Sequence, residues 1–233
     1  MKSLFNIKNE RLKMLFTVLF FGGLWGFIEA TLGFVLKLGS VKSIGVFVSS
    51  TAILLPLAFY LMGLCYKKTG TLRSIVYMGL IAAAIKFSTI TIFGFIDIIY
   101  NPSIYIVIES LTMVGAIALI RPKNILSAKS FLTASIAATS YIFLMLVCKQ
   151  LIDGEAIFTD MASWTKASEK YLLIRNMTMH INLIISGSII YGLSKIIQKF
   201  NWKLNTELAN KILYNPITAS AVFAVAVVTT FLL

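Results

Sequence analysis

The chain has 233 residues, of which 58% are hydrophobic and 13% charged, and its mean hydropathy is +0.89. A soluble domain is nearer half apolar and a quarter charged, so these values exclude an ordinary soluble protein and point to an all-α, polytopic transmembrane bundle. The formal net charge of +12 is carried largely by short polar breaks between apolar runs, where it fits contact with anionic lipid and implies no nucleic-acid partner.

The hydropathy pattern predicts six to seven helical spans in a single transmembrane domain over residues 1–233. They cover about residues 14–36, 44–66, 74–97, 103–120, 130–151, 172–197 and 214–233. Most approach the ~20 residues that cross ~30 Å of hydrocarbon. Helix ends are marked by Gly39, Gly70, Asn101-Pro102, Arg121-Pro122, Gly154 and Asn215-Pro216. Pro56 inside the second span should kink it.

Lys2, Lys8, Arg11 and Lys13 precede span one. Lys67, Lys68 and Arg73 follow span two, Arg121, Lys123 and Lys129 follow span four, and Lys195, Lys199, Lys203 and Lys211 follow span six. The alternate loops are poorer in cations, and the one after span five holds Asp153, Glu155, Asp160 and Glu169. The positive-inside rule then predicts a multi-pass protein of the cell membrane with its N-terminus in the cytoplasm. The first span is too long for a signal-peptide core and lacks a small-residue cleavage site. Cys65 and Cys148 fall at opposite membrane faces, which excludes a disulfide between them. No metal-ligand cluster and no phosphate-binding loop is present, so neither a metal, a cofactor nor ATP hydrolysis by that route is expected.

Within this frame the intramembrane charges coincide in depth. At 1.5 Å per residue, Glu29 on span one, Lys86 on span three, Glu109 on span four and His180 on span six all fall in the central-to-outer part of the bilayer. Charged groups there are rare without a partner or a task. Glu29 or Glu109 can pair with Lys86 as a structural bridge. Taken together with Asn176 and Tyr105, the four residues describe a site for a small polar ligand, open to the outside and closed toward the cytoplasm. Asp97, Lys149 and Arg175 lie close enough to the surface to be solvated. Gly22, Gly26, Ala30 and Gly33 share one face of span one, a small-residue stripe that suits packing within the bundle or docking of another membrane subunit through Gly22, Gly26 and Ala30.

The stretches "GGLWGFIEATLG" (22–33) and "NPSIYIVIESLTMVGA" (101–116), in a small, basic, all-helical membrane protein, resemble the substrate-binding S components of energy-coupling factor (ECF) transporters. The resemblance is one of layout over spans one to six. It implies a non-enzymatic vitamin or micronutrient uptake subunit that works with a transmembrane coupling subunit and two ATPase subunits. The family usually has six spans, and its first-helix docking motif carries alanines four apart where this stripe is mostly glycine. A proton-coupled secondary carrier using Glu29, Glu109 and His180 is the alternative; a membrane-embedded enzyme is less favoured because HExxH, GxSxG and clustered-Asp motifs are missing. A retinal protein is excluded, since span seven has no lysine.

Overall fold

A computed structural model describes residues 9–35, 50–88, 97–122, 127–152, 154, 156–199 and 206–232. The expected span residues 44–49 and 89–96, together with Lys2, Lys8, Lys123, Lys203, Asp153 and Glu155, lie outside the described residues. Those described are helical throughout, joined by turns and bends. The helices are α1 (Glu10–Val35), α2 (Ser50–Thr69), α3 (Leu72–Phe87), α4 (Asp97–Ile120) and α5 (Ala128–Leu151). After them come α6 (Met161–Ala167), a π-helical segment (Ser168–Arg175), α7 (Asn176–Lys199), α8 (Thr206–Leu213) and α9 (Pro216–Leu232).

Three of these, Glu10–Gly33, Pro102–Ile120 and Ala128–Leu151, are long and apolar enough to cross a bilayer, and Pro216–Leu232 is a shorter apolar helix. Their outer faces carry Leu119, Leu132, Phe143 and Val228, all exposed, as suits a bundle whose solvent is hydrocarbon. Two expected boundaries move. Asp97 opens α4 and does not close span three, and α4 starts ahead of Pro102, which lies in its second turn and removes one i→i−4 hydrogen bond there. The expected sixth span is a composite of the π-helical segment and α7.

Local chemistry sets the turns. Gly70 (φ 68) donates its N–H to the Tyr66 carbonyl at 2.8 Å, closing α2 in the left-handed geometry that glycine adopts without a Cβ penalty. Arg121 (φ 50) closes α4 the same way, donating to the Ile117 carbonyl at 2.8 Å, and Pro122 follows. Ser127 caps α5 by accepting from the Ser130 N–H at 3.2 Å. Asp160 caps α6, accepting from the Ser163 N–H at 2.7 Å, and this bond holds its carboxyl below the ordinary carboxylate range. Hydroxyls inside the apolar helices bond back to their own chain: Thr17 to the Lys13 carbonyl, Thr31 to Phe27, Thr133 to Lys129 and Thr230 to Ala226, at 2.7–2.8 Å. They therefore meet their hydrogen-bond needs without a partner helix.

α1 is the hub, packed between α3 and α9 with α2 alongside. A Cβ on Gly22 would stand 2.8 Å from Ile81, and one on Gly26 2.7 Å from Ile85. Four residues on α1 match four on α3, so the two helices run in the same direction with their turns in register. On the opposite side a Cβ on Gly23 would meet the Phe223 backbone at 3.0 Å. Between α3 and α4, a Cβ on Gly79 would strike Ser110 at 2.5 Å. One end of the bundle gathers the cations. The Thr71 hydroxyl reaches Met14 Sδ at 3.5 Å, and Lys68 Nζ donates to Asn210 Oδ1 at 3.1 Å. The start of α1, the α2–α3 turn and α8 therefore meet at the end that carries Lys13, Lys67, Lys68 and Arg73.

Gly22→Ala should lower the stability of the detergent-solubilised protein by about 1–3 kcal/mol, the usual cost of overpacking. Gly115→Ala, where a Cβ meets nothing within 4 Å, should be neutral or stabilising by up to about 1 kcal/mol from helix propensity. Thermal unfolding of the two variants checks the ordering.

Candidate functional site

The carboxylate of Glu109 is the anchor. α4 points it inward: the residue is 5% exposed, and its Oε2 is buried with no hydrogen-bond partner among the described residues. An acceptor in that condition is costly, because it has lost water and gained nothing in exchange. The charges that reach it are those of Glu29 on α1 and Arg175 at the end of the π-helical segment. The same two groups, with Glu109 itself and Tyr105, act on the buried phenol of Tyr141 on α5. Tyr105 and Tyr141 meet edge to face, with ring centroids 6.5 Å apart and planes at 85°, a favourable aromatic geometry. Four elements thus contribute to one interior cluster: Glu29, Tyr105, Glu109, Tyr141 and Arg175.

Arg175 is the main correction to the surface assignment. It is half-buried, and its guanidinium stands 5.8 Å from the Tyr171 ring centroid, within cation–π range. Tyr171 and Arg175 are four residues apart, a spacing that shares one helix face, so the two turn inward together.

The other expected site residues have these positions. Asn176 Oδ1 accepts from the Thr139 hydroxyl at 3.4 Å, tying α7 to α5. His180 Nδ1 donates to the Asn176 carbonyl at 2.8 Å. Lys86 is half-buried in the last turn of α3, next to Ile85, which covers Gly26. The basic group beside Glu109 is Arg175, and Lys86 is not among the charges that reach it. The docking stripe lies inside the bundle: Gly22 and Gly26 are covered by α3, and Ala30 is 4% exposed. Trp25, one turn before Glu29 on α1, is fully buried, and its indole N–H also has no acceptor among the described residues.

A separate cavity of about 730 Å³ lies at the basic end between α2, α4, α5 and α7. None of the six expected ligand residues lines it. Among the described residues no group of three or more His, Cys, Asp or Glu side chains is placed to hold a metal ion. Comparison with known proteins gives no match to a family model, to a curated protein or to a solved structure.

Replacing Glu109 by Gln and Arg175 by Gln, singly and together, measures their coupling. The expected coupling energy is about 1–3 kcal/mol in thermal or denaturant unfolding, the range for charged groups in one network. Strictly additive losses would show that the two side chains act independently.

Proposed function

We propose that the protein is a membrane-embedded binding subunit for the uptake of a small polar molecule, with a cationic or zwitterionic ligand preferred. The observation that carries this reading is the buried Glu109 carboxylate with an unpartnered oxygen beside a second carboxylate. The unpartnered Glu109 oxygen is a buried acceptor, and an N–H or ammonium group of a ligand supplies the missing donor. The indole N–H of Trp25 offers a donor one turn from Glu29. The bundle supports the depth argument from the sequence: Glu29 and Glu109 interact from separate helices.

In this reading the chain is the substrate-specific subunit of an ECF-type transporter, multi-pass, with its basic end in the cytoplasm. The energy comes from a separate coupling subunit and ATPase subunits. Lys86, Asn176 and His180 flank the site, and no catalytic role is assigned. The contact with the coupling subunit lies elsewhere than on Gly22, Gly26 and Ala30, which are buried within the bundle. The buried carboxylate pair also suits the proton relay of a secondary carrier, and transport measurements separate the two.

Two experiments test the proposal. The purified protein is screened by thermal shift against size-matched organic cations, zwitterions and anions. Cations or zwitterions should stabilise it, by about 2.7 kcal/mol at one hundred times Kd. Glu29→Gln should weaken that binding roughly tenfold, the scale of one charge-assisted hydrogen bond. Stabilisation by anions alone would overturn the site assignment, and ion-gradient-driven uptake by the isolated chain in liposomes would favour the carrier. For orientation, a single cysteine at Thr69 should resist an impermeant maleimide in intact cells, whereas one at Asp160 should react.

A further inference from the structure

The cavity at the basic end has a shape and polarity that the acid cluster does not explain. Its volume of about 730 Å³ lies within the range of pockets that enclose a ligand. Local sequence keeps it open. Pro56, on its wall, removes a backbone donor from α2. Gly63 on α2 and Gly187 on α7 face it, and a Cβ on either would meet nothing within 4 Å.

The lining is graded. Phe59, Met113, Ile117 and Leu183 form a buried apolar floor. Lys67 stands at the mouth with the α2–α3 and α4–α5 turns. Pro56 and Lys67 are separated by eleven helical steps, so the gradient extends about 16 Å along α2. Among the described residues no Asp or Glu lines the cavity, and Lys67 has no ion-pair partner among them. Phe131, Ile184 and Tyr191 are exposed along its edge, so it opens sideways between helix faces that are themselves apolar. Water has few partners on such a floor.

We propose that this cavity binds an anionic lipid of the surrounding bilayer, with the phosphate at Lys67 and one acyl chain along the apolar floor. The charge at the mouth selects an anionic headgroup. The lateral opening and the apolar floor select a lipid over a soluble anion, which would leave most of the wall unmatched. The proposal requires the protein to sit in a bilayer and is independent of the Glu29–Glu109 cluster, so either can fail alone.

The test uses the full chain, delipidated in detergent and titrated with palmitoyl-oleoyl phosphatidylglycerol or phosphatidylcholine under native mass spectrometry. Phosphatidylglycerol should bind more tightly. Lys67→Gln should reduce that preference about fivefold, the usual weight of one cation near a membrane surface. Arg73→Gln, at the same end but outside the lining, should leave it unchanged. Gly63→Leu and Gly187→Leu should fill the space and abolish binding of both lipids while melting within a few degrees of wild type. A second measurement does not depend on the bulky variants folding. Gly63→Cys, in a background with Cys65 and Cys148 replaced by Ala, should be protected from maleimide by phosphatidylglycerol and not by glycerol 3-phosphate. Equal binding of the two lipids, a preference that survives Lys67→Gln, or protection by glycerol 3-phosphate alone would overturn the proposal.

Discussion

The placement of α2, α3 and α9 depends on how closely α1 is approached on its two sides. Gly22 and Gly26 admit Ile81 and Ile85 on one flank, and Gly23 admits the Phe223 backbone on the other. In hydrocarbon there is little hydrophobic drive to bring helices together, so dispersion between closely fitted surfaces has to do it. Glycine serves this purpose because nothing else lets Ile side chains or a facing backbone reach the helix axis. The same stripe that reads in the sequence as a surface for another subunit is consumed by the chain's own α3 and α9.

That geometry holds Glu29 at its depth. α1 cannot rotate without driving a glycine face out of contact, so the carboxylate one turn beyond Gly26 is fixed in direction. Glu109, carried on α4, is fixed in turn by the α3–α4 contact at Gly79 and Ser110. Two acids placed near each other in this way are electrostatically unfavourable, and Arg175 is a cation that offsets part of this at Glu109. Tyr105 and Tyr141 close the surroundings with an aromatic edge. A site that retains a shielded, unsatisfied acceptor is under tension that a bound positive group relieves.

Hydropathy alone revealed the helical class and the clean apolar runs of α1, α4, α5 and α9, because those segments are bounded by glycine, proline and charge. Helix rise and loop charge give Glu29 and Glu109 a shared depth, while which residue faces Glu29, Lys86 or Glu109, is left open by the sequence. Three things were not legible. Asp97 reads as part of the preceding span because the Asn-Pro little more than one turn later resembles a stop. Arg175 reads as solvated because it lies near the outer end of the sixth span, and nothing along the chain shows that it is half-buried beside the Tyr171 ring. Tyr141 sits among apolar residues and looks like any membrane aromatic until its position against Tyr105 is known. The glycine stripe was seen, but a one-dimensional pattern cannot say which of several helices fills it.

The packing of α9 onto α1 has a consequence for biosynthesis. The partner that covers Gly23 is encoded about 180 residues after α1 ends, and ribosomes add roughly 5–20 residues per second. For some 10–40 s at that pace, a newly made α1 has its Gly23 face bare, and for the first part of that interval its Glu29 carboxylate precedes the helices that carry Glu109 and Arg175. Its transient neighbours in that interval are lipids and the insertion machinery. Closure of the bundle is therefore a late, non-local event, and a nascent chain interrupted before Pro216 holds α1 with its Gly23 face uncovered.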